Sequence, residues 1–572
     1  MTLLPYDDPA APALPGSSGS SHNNGYGGDG GGVVRIEATG SVTVNGSVLA
    51  DGRNASSYGG DGSGSNWGQP GAGGSIWITC GTISGSGVIR AAGGGGDNPL
   101  INSIPALAAG GGMIAIDYNP SLQTSEAVAD MTISSAAGLY KTSRFVSTCF
   151  NADTNHWDAD IGTLHFTDGK IVDALLGKRL TGQIRGLANY VYDGDLVFTN
   201  GHVRFADIGV SVNVSGDLTL GGDGVARLEV GGCIATNRYT YIDLYAGTMP
   251  CSLTVGGDLT LGGKSRLDIR AAATNGVDAF GAIINVAGAM TIGSNCVVTA
   301  SSDYDNLGAP KFTVGSFYLA TNATFSAEAR GGRGGYGYRN AANTRTQKRT
   351  GAGPGRGDST QGASYGGKGG ANAVATYGSK ERPLLPGSGG GEFYNSYRGV
   401  GGAGGGLVYV SATNGTISID GKINADGGTG KKTDYEARGW GYGGGGSGGA
   451  ILLESRFFRL GTTGVLTARG GDTEPYDTVR SGSGGGGRIA VWCGNPWREN
   501  MTRGWYIKSN QPLTDPDALE NFVWGGTASV AAGEATGKWV VTEGSAASAG
   551  KDGTIFFGYV RDQPKGMLFI FK

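Results

Sequence analysis

Charged side chains make up only 16% of the 572 residues and the formal net charge is -3, so no global field draws nucleic acid or an acidic lipid surface to the chain. Long apolar runs are missing as well. No stretch approaches the roughly 18 to 20 residues that cross a bilayer, and Met1 to Ala10 lacks the basic start and apolar run of a signal peptide. An exported protein whose signal has already been removed is expected. The six cysteines, Cys80, Cys149, Cys233, Cys251, Cys296 and Cys493, form no CxxC and no tight His/Cys spacing, which argues against zinc; neither a metal nor a cofactor is expected. Proline is sparse at 18 residues and no glycine period of three is sustained, so collagen is excluded.

What the chain has in abundance is glycine, 113 residues or about a fifth of the total against a usual share of roughly 7%. Aromatic content stays at an ordinary 9%, which simple disorder does not explain. Self-comparison shows why. Three short apolar strands follow glycine runs near the start, Val34-Arg35-Ile36, Ile76-Trp77-Ile78 and Ile114-Ala115-Ile116. They recur as Val408-Tyr409-Val410, Ile451-Leu452-Leu453 and Ile489-Ala490-Val491, with steps of 42 and 38 residues in the first set and 43 and 38 in the second. The flanks agree too: GSVTVNGSVLADG from Gly40 to Gly52 matches GTISIDGKINADG from Gly415 to Gly427.

Between the copies lies a second repeat, with Gly-Asp-Leu starts at Gly194, Gly216 and Gly257, the last two extending to GDLTLGG. Its strands alternate apolar and polar residues, and helix is expected only as a short turn near Ile171 to Leu176. One alternating strand cannot bury its apolar face alone; stacked copies can, with glycine and asparagine at the corners. The expected fold class is therefore all-β, a right-handed parallel β-solenoid (β-helix) with glycine-rich, polyproline-II-like loops. Four segments follow: residues 1-170, a first glycine-rich module; 171-326, the GDLTLGG-type repeats; 327-381, a glycine-rich basic insertion; and 382-572, a second glycine-rich module with a C-terminal strand.

GDLTLGG with its alternating flanks resembles the strand repeats associated with autotransporter passengers. The GGGG-[RM]-IA-[IV] and GSGG-x-I stretches are similar to glycine-rich repeats of very large exported bacterial proteins. The resemblance implies a surface-located β-solenoid and carries no catalytic residues over. No series of alternating segments of about 10 residues, as an outer-membrane barrel needs, follows the repeats, so self-secretion is not expected.

Candidate sites are few. Asp153, Asp158 and Asp160 gather with His156 and Trp157 in NADTNHWDAD, the one place where acid, base and aromatic platform coincide as a glycosidase-like site requires; a loop reading is preferred, and no enzyme is expected. GGDG at Gly27 and at Gly59 resembles half of a calcium β-roll repeat but lacks the tandem spacing. Ala329 to Arg356, basic with interleaved tyrosines, reads as a solvated loop, and Arg356-Gly357-Asp358 at its end is short enough to arise by chance. Trp67, Trp77, Tyr394, Tyr397, Tyr409, Trp440 and Tyr442 are candidates for stacking on a ligand such as a surface polysaccharide. Cys233 and Cys251 are a candidate disulfide. Met567, Leu568, Phe569, Ile570 and Phe571 form a candidate self-assembly strand, which makes the chain itself an expected partner, head to tail or by strand donation. The expected function is an extracellular or cell-surface structural or adhesive protein able to form filaments or a coat; the alternatives are a polysaccharide lyase or hydrolase and a phage-type receptor-binding fibre.

Overall fold

In a computed structural model of the chain, residues 7–21, 26–55, 68–95, 108–138, 159–222, 226–231, 248–274, 279–339, 345–348, 350–371, 373–392, 399–432, 443–473, 481–496, 505–535 and 549–561 are described. They are nearly all β, and most strands pair in parallel. Two compact units are formed, one from residues 1–192, 196–212 and 220–230, the other from 193–195, 213–219 and 231–572.

In the first unit, three successive strands of one stretch each lie parallel to their counterparts in the next. Val33–Glu37 pairs with Ser75–Thr79, Ser41–Thr43 with Thr82–Ser84, and Ser47–Leu49 with Val88–Arg90. The first ladder continues through Met113–Asp117, Thr163–Phe166, Leu180–Arg185, Gly201–Phe205 and Ala226–Val230. Register is set by the apolar column Val34, Ile76, Ile114 and Leu164, whose last three members are fully buried. A slip of one residue would turn that column outward. A six-residue α-helix, Lys170–Leu175, buries Ile171, Val172 and Leu175.

The second unit repeats the logic with longer strands. Cys251–Val255, Ala282–Ile292, Pro310–Leu319, Leu407–Ile419, Ala450–Leu460, Arg488–Gly494 and Thr554–Val560 form one parallel ladder. Val408, Ile451, Ile489 and Ile555 make its apolar column, so the residues matched in sequence occupy matched registers in each unit. A second ladder runs from Arg266–Arg270 through Val297–Ser301, Thr324–Ser326, Lys422–Asn424 and Val465–Thr467 to Thr527–Ser529.

Both faces of the long ladder are covered at its centre. Ala450 to Ser455 are all buried, because Tyr365 packs with Leu407, Tyr409, Leu452, Trp492 and Phe556 on the side opposite Ile451 and Leu453, with Tyr377 against them. Arg488 Nη2 donates to Tyr377 O at 2.8 Å, and Trp492 Nε1 to Glu381 O at 2.8 Å. The stretch read as a solvated basic loop is thus corrected. Residues 331–335 are buried, Arg333 holds Asp305 at 2.5 Å, and Tyr336–Arg339 pairs antiparallel with Arg345–Lys348. Charge misled the reading, since Arg333 finds the Asp305 carboxylate and Arg330 donates to Ser301 Oγ at 3.0 Å.

The glycine runs are ordered by their backbones. Along 443–449, the N–H groups of Gly443, Gly446 and Gly449 donate to Lys431, Gly428 and Ala425; those of Gly444 and Ser447 to Gly391 and Ser388; those of Gly445 and Gly448 to Gly482 and Gly485. Every third residue faces the same neighbour, which is the symmetry of an extended helix of three residues per turn. The first unit does the same at 71–74: Gly71 and Gly74 donate to Arg53 and Ala50, Ala72 to Ser17, and Gly73 to Gly110. Side chains cannot enter such a bundle. A Cβ on Gly446 would sit 1.9 Å from Ala403 O.

Candidate functional site

The Gly-Asp-Leu repeat has a local explanation. Asp195 Oδ1 accepts from Asp217 N at 2.8 Å, Asp217 Oδ1 from Asp258 N at 2.7 Å, and Asp258 Oδ1 from Ala289 N at 2.7 Å. Each carboxylate reaches the backbone of the next strand, and the residue before that N–H must be glycine: a Cβ at Gly216, Gly257 or Gly288 would stand about 2 Å from the incoming oxygen. The motif is a stacking device at the point where the strands bend.

Just before that bend the long ladder of the second unit carries a row of polar residues. Thr254, Asn285, Thr313 and Ser411 are consecutive register partners. Beyond them the ladder shifts register, between Val286 and Ala289, Thr313 and Phe317, and Ala412 and Thr416. The sheet folds into an open groove of about 410 Å³ whose lining also includes Thr413 and Asn414 at one wall and Gly256, Ala287 and Gly315 along the bend. Asn285, Thr313 and Asn414 are exposed. Among the described residues, none of the six polar side chains makes a hydrogen bond to the protein. The next register partner after Ser411 is Glu454, which ends the row: Arg382 pairs with it and Tyr409 Oη donates to it at 2.7 Å.

A second polar group occupies the first unit. Glu229, fully buried, takes His202 Nε2 at 2.5 Å, Arg204 Nε at 2.8 Å and Arg227 Nη2 at 3.0 Å, while Arg204 Nη1 also holds Asp160 at 2.8 Å. Burial pulls the His202 pKa below its ordinary value, against the opposing bond to Glu229, so the ring stays neutral and donates. Every charge in this group has a partner, which is what a buried ion network needs to persist. It binds strand to strand.

Few of the residues singled out from the sequence meet at either place. Tyr409 is 5% exposed, with burial and then Glu454 raising its pKa; its ring lies beside Phe280 and under Lys311, so it is corrected from ligand platform to core residue. Trp77 is half-buried, donates Nε1 to Asp117 at 3.0 Å and carries Arg35 over its face at 4.3 Å. Trp67, Tyr394, Tyr397, Trp440, Tyr442, Cys233 and the strand Met567 to Phe571 lie outside the described residues, as do Asp153, His156, Trp157 and Asp158. Cys251 is a buried free thiol that donates to Arg270 O at 3.3 Å, its pKa pushed up to about 12 by burial. Arg356 and Asp358 are exposed on either side of a buried Gly357. Reading the sequence missed the groove because Thr, Asn and Ser at strand positions look like ordinary solvent-facing residues; their common row exists only once register is known. Compared with known proteins, the chain matches no family model, no curated protein and no solved structure.

Proposed function

We propose that the chain is an extracellular or cell-surface structural and adhesive protein whose units are right-handed parallel β-solenoids. The observation that carries this reading is the glycine bundle. Runs such as 443–449 spend their hydrogen bonds on three neighbouring chains at once, a use of sequence that serves stiffness and offers no side-chain chemistry. Right-handedness follows from the strong preference of parallel crossovers. Stacked strands with buried apolar columns suit a surface protein that keeps its fold outside the cell. Labelling intact, unpermeabilised source cells with an antibody to the folded chain tests the location. Signal on intact cells, removed by external protease, is expected; signal that requires permeabilisation overturns it.

A further inference from the structure

We infer that the groove along Thr254, Asn285, Thr313 and Ser411 binds a neutral, linear polysaccharide lying across the strands. The row repeats at the strand spacing of about 4.8 Å and so extends roughly 14 Å, which offers an uncharged polar side chain at each step to a polymer that also repeats, ending on Ser411, 8% exposed. Its side chains are hydroxyls and carboxamides, each able both to donate and to accept, as a chain of sugar hydroxyls demands. None of the lining residues is charged at any pH, so neither a phosphate backbone nor a uronate chain finds a counter-charge there. A peptide strand would need a free sheet edge, and here the strands beneath the row are paired on both sides. A drug-sized apolar ligand would need an enclosed apolar pocket, and this groove is open.

The hydroxyl and amide heads of Thr254, Asn285, Thr313, Ser411, Thr413 and Asn414 have no protein partner among the described residues. Gly256 and Gly315 serve the bend itself, since a Cβ there would meet Ser215 O at 2.0 Å and Ala287 O at 2.7 Å. At the Ser411 end, Glu454 is already taken by Arg382 and Tyr409, which stops the row there.

The inference deepens the adhesive reading, yet its test uses purified protein and is blind to location, so the two fail separately. Native gels are cast with hydroxyethylcellulose, mixed-linkage β-glucan, galactomannan or dextran as neutral probes, and with alginate or polygalacturonate as anionic ones. Retardation by at least one neutral polymer is expected. Thr313→Trp, at an exposed position, should abolish it by filling the groove, and Asn285→Ala should weaken it roughly fivefold, the size of one lost neutral hydrogen bond. Both variants are checked for an unchanged thermal midpoint, and Thr313→Ser should bind as the parent does. Retardation by the anionic polymers alone, by no polymer, or equally by parent and Thr313→Trp overturns the inference.

Discussion

At the scale of single residues, glycine divides into two populations that composition cannot separate. Gly446 lies inside the backbone bundle, where an added Cβ meets Ala403 O at 1.9 Å, whereas nothing lies within 4 Å of a Cβ on Gly32. Gly446→Ala is therefore expected to destabilise by about 1–3 kcal/mol or more, as overpacking does, and Gly32→Ala to stay within about 0.5 kcal/mol. Urea midpoints of the two variants check this; equal effects would mean that the bundle is not close-packed. The aspartate ladder gives a second contrast. Asp217→Ala removes the acceptor of Asp258 N and should cost about 1 kcal/mol, while Asp217→Asn keeps a carbonyl oxygen in place and should cost less.

At the scale of strands, the apolar columns decide register. Ile489 stands between Ile451 and Ile555 and is fully buried, so Ile489→Ala should lose about 2–5 kcal/mol in denaturant unfolding. Alternation made this column legible in the sequence, and its duplication made the pairing order legible as well. The outer face of the same strands was not. Leu452 and Ala490 are buried under Tyr365 and Tyr377, which lie far away in sequence, and no periodicity announces a cover. Burial also sets a pH response in the first unit. His202 titrates below its ordinary value when folded, while the unfolded chain takes up its proton near pH ~6.5. Its contribution is therefore full above that pH and is lost as pH falls through and below it. The parent should lose more thermal stability than His202→Gln between pH 7 and pH 5; parallel pH profiles would show that His202 is not the group responsible.

At the scale of the whole molecule, open edges matter most. Among the described residues, Val33–Glu37, Ser41–Thr43 and Ser47–Leu49 pair on one side only, and Val33 and Leu49 are 43% and 47% exposed. In the second unit the Thr554–Val560 strand is covered by Tyr506–Ser509 running antiparallel, a reversal that interrupts parallel growth. Unpaired edges recruit other strands, so purified protein is expected to self-associate as concentration rises. The double variant Val33→Lys, Leu49→Lys should shift sedimentation velocity profiles toward smaller species. A parent that stays monomeric at the highest soluble concentration would exclude this edge as a contact.

The sequence by itself determined the all-β class, the parallel stacking order and the matched apolar columns, because alternation and spacing are local properties that survive without coordinates. It also marked the Gly-Asp-Leu repeat, though not that its carboxylate bonds the next strand. Only the tertiary structure decided that glycine runs form a three-neighbour bundle, since a backbone hydrogen bond leaves no trace in residue type beyond the absence of a side chain. Only it decided that the start of the basic insertion packs and that Arg333 pairs with Asp305, that Tyr409 is core, and that four unremarkable polar residues form one row. Each of these depends on which distant strands become neighbours, and that is a property of register in three dimensions.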